Sequence, residues 1–240
     1  MSDISSRGET DSSSAPVHIS SLLSDRLAAV RSGVAAAAAE AGRDVADITT
    51  IVVTKFHPAS LVRELHALGV RDFGENRHQE ASEKAQELSD LDLTWHFVGQ
   101  IQGKKIRQVA QYADVLHALD RIRLVEALNE QPRTLDCFVQ INLTENDERG
   151  GVQPDGLLAL AESVLAHPSL NLRGVMAVAP LDEEPRRAFA RLRGYSDALQ
   201  QLAPHATDIS AGMTQDYAEA IAEGATHLRI GTAITGKRPD

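Results

Sequence analysis

From residue 48 to residue 230 one unit recurs: a short β-branched or apolar run, a small or polar turn, then an amphipathic stretch of roughly 10 to 18 residues. The strand-like runs are Ile48–Thr54, Val70–Phe73, Thr94–Val98, Val115–Leu119, Cys137–Leu143, Leu172–Val178, Thr207–Ser210 and His227–Ile230. Between them lie helix-like stretches at Ser60–Leu68, Gln79–Leu88, Lys104–Tyr112, Arg121–Asn129, Asp155–Ala166, Glu183–Leu202 and Asp216–Glu223. Strands this continuous in apolar residues, separated by helices, require a parallel sheet covered on both faces. Two architectures meet that requirement. A doubly wound open sheet carries fewer strands and a glycine-rich first βα turn, but here that turn reads Thr54-Lys55-Phe56-His57-Pro58. Eight strands fit a single α/β domain, a (β/α)8 TIM-type barrel, which needs about 200 residues at minimum.

The remainder of the chain agrees with one such domain. Residues 1–17 are Ser-rich with little to bury and read as a disordered tail, leaving 18–240 for the barrel. Leu22, Leu23, Leu27, Val30 and Val34 follow a helical period from His18 to Ala41, an extra N-terminal helix stopped by Gly42. A net charge of −10 argues against broad binding to nucleic acid or anionic membrane. With Cys137 as the single cysteine, no intrachain disulfide is possible, and the lack of an export segment points to the cytoplasm.

In such a barrel the chemistry sits at the C-terminal strand ends. Those ends carry Lys55, Gly74-Glu75-Asn76, His96 with Gly99, Asp120, Asn142, Ala177, Ser210 with Gly212, and Arg229 with Gly231-Thr232. Lys55 follows a strand buried on both faces, with no acidic residue adjacent in sequence. An amine near apolar walls loses its proton more readily and becomes able to form a Schiff base. The plainer alternative is a lysine that snorkels out of a strand end or pairs with a distant carboxylate. Ile209-Ser210-Ala211-Gly212-Met213 and Arg229-Ile230-Gly231-Thr232-Ala233 end the last two strands, where barrels often build a phosphate site from backbone N–H groups. Ser-x-Gly and Gly-Thr are also ordinary turn residues.

Other motifs fail. Gly231 to Lys237 matches G-x-x-x-x-G-K, yet Arg238 stands where a phosphate loop needs Ser or Thr. The nine histidines show no metal-binding spacing. Gly103-Lys104-Lys105 with Arg107 is either a solvated helix start or a second anion site.

Six blocks in order resemble the YggS/PROSC family of pyridoxal phosphate homeostasis proteins. They are Val53-Thr54-Lys55 with Pro58-Ala59; Phe73-Gly74-Glu75-Asn76 with Gln79-Glu80; Trp95-His96-Phe97-Val98-Gly99 then Gln102; Arg173-Gly174-Val175-Met176; Gly212-Met213-Thr214 with Asp216; and Arg229 to Ile234. The resemblance implies a barrel like the N-terminal domain of alanine racemase, without that enzyme's second domain. It implies pyridoxal 5′-phosphate (PLP) held as an aldimine on Lys55. Ser210 and the backbone around Gly212, Met213, Gly231 and Thr232 would hold the phosphate, Asn76 and His96 would line the pocket, and Arg229 would face the pyridine nitrogen. A fixed cation there disfavours ring protonation and so suppresses carbanion chemistry. The implied function is PLP binding and vitamin B6 homeostasis without catalytic turnover, by a monomer whose partners are PLP and apo PLP-dependent enzymes as recipients. The chain departs from the family at Arg77-His78, at Gln102-Gly103-Lys104-Lys105 and at Thr235. Two alternatives stand beside this. One is a racemase-like PLP enzyme using Tyr112, Tyr195, Tyr217 or a partner chain's residue as second base. The other is a Schiff-base aldolase or sugar-phosphate isomerase.

Overall fold

The computed structural model describes residues 20–128, 131–146 and 149–237. The tail assigned to residues 1–17 lies outside them. Helix α1 (Ser21–Glu40) comes first. Eight strands follow: β1 (Thr49–Val53), β2 (Asp72–Glu75), β3 (Thr94–Phe97), β4 (Val115–Leu119), β5 (Leu135–Gln140), β6 (Leu170–Met176), β7 (Asp208–Ser210) and β8 (His227–Ile230). The helices between them are α2 (Ala59–Ala67), α3 (His78–Glu87), α4 (Ile106–Val109), α5 (Ile122–Ala127), α6 (Leu157–Leu165), α7 (Pro185–Leu202) and α8 (Tyr217–Ala222), and α9 (Thr232–Thr235) follows β8. Every strand pairs in parallel with its sequence neighbour, and β1 pairs with β8, so the sheet is a closed barrel. The expected architecture is therefore the observed one.

Local chemistry explains the elements. In α1, Leu23, Leu27, Val30, Val34 and Ala38 are buried, spaced by three and four residues on one face. Leu22 falls off that stripe and is exposed. The buried stripe packs α1 against α8 and α9, and Arg43 Nη1 donates to the carbonyls of Ile221 (3.0 Å) and Ala225 (2.6 Å). α7 starts at Pro185, which lacks the N–H a first turn cannot use, and the Glu184 carboxylate accepts from the N–H groups of Arg186 and Arg187.

Boundaries differ from the sequence reading: β5 and β6 each begin two residues before Cys137 and Leu172 and end short of Leu143 and Val178. β2 begins at Asp72 rather than Val70, because Gly69 (φ 85°) closes α2 and the Val70 N–H still bonds the Leu65 carbonyl. The stretch read as a helix from Lys104 to Tyr112 is a 3-10 turn at Gly103–Lys105 followed by α4.

Successive strand side chains alternate across the barrel wall. Phe73 and Trp95 meet at 6.1 Å between ring centroids and are buried, while His96, between Trp95 and Phe97, takes the other face. Where barrels of this kind usually fill the interior with Val, Ile and Leu, this one holds rings: Phe138 stacks on His117 at 4.6 Å and meets His227 edge-on at 5.1 Å.

Candidate functional site

The C-terminal ends of β1, β2, β7 and β8 bring together most of the residues singled out in the sequence. Lys55 is half-buried one residue beyond Thr54 and makes no ion pair or hydrogen bond among the described residues; its Nζ lies 5.9 Å from the Phe56 ring centroid. Ile51 pairs with Arg229 and Val53 with Gly74, which places Lys55 between the ends of β8 and β2. A Cβ on Gly231 would stand 3.5 Å from the Val53 carbonyl oxygen, so the β8 loop runs against the end of β1. Gly212 adopts φ 89°, and a Cβ there would come within 2.7 Å of Ala220 and 3.0 Å of Tyr217, so only glycine suits that turn. The Gly212 carbonyl accepts from the Arg229 N–H (2.9 Å) and ties the two phosphate-type loops together. Met213 is exposed, with its N–H taken by the Asp216 carboxylate (2.6 Å). Thr232 opens α9 and is exposed, and the first-turn N–H groups of a helix have no intrahelical acceptor.

Behind the Lys55 loop, outside the strands, sits a buried ionic cluster. Lys84 Nζ donates to the Thr54 carbonyl (2.8 Å), to Glu75 Oε1 (2.7 Å) and to Glu80 Oε1 (2.7 Å), while the Thr54 hydroxyl donates to Glu75 Oε1 (2.7 Å). Glu80 Oε1 also accepts the N–H of Phe56 (2.5 Å), a residue at φ 69° where side chains are uncommon. The backbone on both sides of Lys55 is thus fixed by α3. Glu75 Oε2 is buried with no hydrogen-bond partner among the described residues. Burial pushes the Glu75 carboxyl up, against the opposing pull of Lys84.

Inside the barrel a hydrogen-bonded chain descends from the mouth. Arg229 Nη2 donates to the Ala177 carbonyl (2.8 Å) and Nη1 to Ser210 Oγ (2.6 Å). Ser210 Oγ lies 2.8 Å from His117 Nδ1, His117 Nε2 lies 2.9 Å from His96 Nδ1, and His96 Nε2 lies 3.0 Å from Asp72 Oδ1. Asp72 is the first residue of β2, a third exposed at the N-terminal mouth. Burial brings the Arg229 guanidinium down to about 10, with Asp216 opposing, and it remains a cation near neutrality. Burial also drives His117 well below the ordinary imidazole range, aided by His96 and Arg229, and takes His227 down to about 4.

Lys55, Ser210, Gly212, Arg229, Gly231 and Thr232 therefore converge at one end of the barrel. His96 stands deeper than a pocket wall and reaches Ser210 only through His117. Asn76 is half-buried at the end of β2 and lines a cavity of about 550 Å³ shared with Arg77, Gln102 and Lys105. Glu80 and Glu83 line the same cavity, so Lys105 shares it with carboxylates, and Arg107 Nε donates to the Ala127 carbonyl (2.6 Å). Of the other strand-end residues, Asp120 binds Arg121, and Asn142 Oδ1 accepts from Thr144, both organising loops. From sequence, His117 and Lys84 were missed, and Glu75 at a strand end and Glu80 in a resemblance block were named without being joined to Lys84. The i,i+4 spacing of Glu80 and Lys84 was the one local signal of that link.

Comparison with known proteins agrees with this geometry. The family model described as alanine racemase, N-terminal domain, matches residues 26–239. Pyridoxal phosphate homeostasis proteins of Pseudomonas aeruginosa and Escherichia coli are 42% and 38% identical, over 91% and 90% of this chain and 96% and 97% of theirs. The structure of PipY from Synechococcus elongatus with PLP bound is 35% identical, with a TM-score of 0.77 over 89% of this chain and all of that one. Alanine racemase of Corynebacterium glutamicum, 16% identical with a TM-score of 0.66 over 61% of its chain, shares the fold. A closed barrel of the alanine racemase N-terminal type, matched nearly end to end by these relatives, places the chain in the family of pyridoxal phosphate homeostasis proteins.

Proposed function

We propose that this protein binds PLP at the C-terminal mouth of the barrel, covalently through Lys55, and holds it with little or no turnover as part of intracellular PLP and amino-acid homeostasis in the cytoplasm. The observation that carries this reading is the set of Lys55, Ser210 and Arg229 on adjoining strand ends, with Lys55 making no ion pair or hydrogen bond among the described residues. The donor set fits the group. An amine is available for an aldehyde, a hydroxyl and glycine-bearing loops for a phosphate ester, and a guanidinium for a pyridine nitrogen.

PLP supplies an electrophilic aldehyde and a ring that accepts electrons strongly only when its nitrogen is protonated. The chain's residues act on both features. Glu80 and Lys84 fix the backbone on either side of Lys55 and so orient its amine. Gly212 and Gly231 allow close approach of backbone to phosphate, Thr232 and the α9 first turn add donors, and Met213 and Asn76 form the walls. Arg229 stays charged near neutral pH and offers hydrogens only, so it opposes a proton on a ring nitrogen facing it. Its effect is to hold the group without activating it, which distinguishes storage and transfer to apo-enzymes by a monomer from racemisation. The three tyrosines support the same view. Tyr217 packs against Gly33 of α1, Tyr112 bonds His78 outside the barrel, and Tyr195 lies on α7 against the core. None of the three hydroxyls bonds Lys55, Ser210 or Arg229 among the described residues.

The test is the absorption spectrum of wild type and Lys55→Ala after incubation with PLP and desalting. The wild type should keep the band of a covalent adduct and the variant should lose it. A colourless wild type rejects the reading, and sustained amino-acid racemisation by purified protein rejects the claim of negligible turnover.

A further inference from the structure

The chain from Arg229 to Asp72 has a defined number of protons, and that number has a consequence for ligand binding. Arg229 has only hydrogens to give, so the hydrogen between Nη1 and Ser210 Oγ belongs to Arg229. His117 is completely buried and neutral, with one donor and one acceptor nitrogen. With Asp72 as carboxylate, two arrangements then satisfy every link. In the first, Ser210 O–H donates to His117 Nδ1, His117 Nε2–H donates to His96 Nδ1, and His96 Nε2–H donates to the Asp72 carboxylate. In the second, His117 carries its proton on Nδ1 and donates to Ser210 Oγ, while His96 carries protons on both nitrogens and donates to His117 Nε2 and to Asp72. The two differ by one proton, located on His96. They also differ in the hydroxyl of Ser210: in the first its hydrogen is consumed inside the barrel, and in the second it is free for another acceptor.

We propose that a phosphate ester accepting the Ser210 hydrogen is coupled to uptake of one proton by His96, which makes Asp72, His96 and His117 positioning residues for the phosphate. This rests on the reading above that the phosphate lies at Ser210. The balance is simple. A dianion and one proton from solvent enter, the proton of His117 moves from Nε2 to Nδ1, and His96 becomes an imidazolium paired with Asp72, with no other bond made or broken. Solvent reaches the chain at Asp72, the one half-exposed member. The groups facing His96 are Asp72 from β2, His117 from β4 and His227 from β8, the last at 6.5 Å between rings. Asp208 of β7 and Arg173 of β6 act on His227 from behind, and Arg229 lies beyond His117. Asp72 is the one carboxylate hydrogen-bonded to His96, so it determines whether the second arrangement is stable.

The test uses the full-length protein and pyridoxine phosphate, which has the ester but no aldehyde and so leaves Lys55 chemistry aside. Imidazole nitrogen NMR at about pH 8, where free histidines are neutral, reads each tautomer directly. Ligand should move the His117 proton from Nε2 to Nδ1 and protonate both nitrogens of His96. Calorimetry in buffers of different ionisation enthalpy should record uptake close to one proton by wild type and close to none by Ser210→Ala. Asp72→Asn should weaken pyridoxine phosphate roughly tenfold and leave unphosphorylated pyridoxine unchanged. Binding with both tautomers unaltered, or equal affinity in Asp72→Asn, overturns the coupling and leaves the PLP reading intact. Failure of pyridoxine phosphate to perturb the amides around Gly212 and Gly231 overturns both.

Discussion

The two buried polar clusters of this barrel solve the same problem in opposite ways. Outside the strands, Lys84 is charged and takes three oxygens, and still one oxygen of Glu75 is left without a partner. Inside, between Arg229 and Asp72, a hydroxyl and two imidazoles pass hydrogen bonds hand to hand from a guanidinium to a carboxylate. A charged cluster resists rearrangement, because any loss strands an ion in low dielectric. A relay of hydroxyl and imidazoles can exchange donors for acceptors while every link stays satisfied. The first suits a fixed backbone under Lys55, and the second suits a surface that must respond to a ligand.

Breaking the outer cluster should have the largest effect. Lys84→Met leaves Glu75 buried without its cation and should cost about 3–5 kcal/mol of stability in urea denaturation. Adding Glu75→Leu should recover most of that, since a filled apolar pair replaces an ionic one. Full recovery would show that the ion pair serves geometry rather than stability. Acid should act next, through the ring of His227 packed against the inner cluster. His227 titrates near 4 in the folded protein and near 6.5 unfolded, so its contribution is intact above about pH 6.5. Below that the unfolded chain binds the proton first, and stability should fall as pH drops toward 4, by on the order of 3 kcal/mol from this residue. His227→Phe should flatten that part of the profile of unfolding free energy against pH.

Ser210→Ala is milder. It leaves His117 Nδ1 without its hydroxyl and should cost roughly 1–3 kcal/mol in the same denaturation assay. A loss below that range would mean that water replaces the hydroxyl. Smallest is Glu80→Ala, which removes one acceptor from the half-buried Phe56 N–H and one of the three oxygens around Lys84 and should cost about 1 kcal/mol. Its sharper readout is faster release of PLP after dilution, followed by the loss of adduct absorbance. An unchanged release rate would separate the outer cluster from the orientation of Lys55.

How much of this was legible beforehand follows from the range of each interaction. All eight strands could be read because burial on both faces imposes an apolar run that no local partner disguises. α9 could not, since Thr232-Ala233-Ile234-Thr235 is a single turn with no amphipathic period. Lys55 and the two glycine loops stood out as residues that a closed core does not need. His117 looked like an ordinary histidine within Val115–Leu119, because its partners His96 and Ser210 are 21 and 93 residues away. Glu75 was grouped with Asn76 at a strand end, although strand alternation turns it outward to Lys84. Local pattern fixed the scaffold and the mouth, while partners joined only by barrel closure required three dimensions.

The pairing of β1 with β8 also sets an order of events. Arg43 and its acceptor Ala225 are 182 residues apart, so at ribosomal rates of about 5–20 residues per second the first strand waits roughly 10–40 s for its neighbour. Through that interval β1 is an unpaired edge, and Lys55 has no Arg229 beside it. The C-terminal mouth is among the last features of the nascent chain to form, so the proposed PLP site exists only once β8 has been made and has closed on β1.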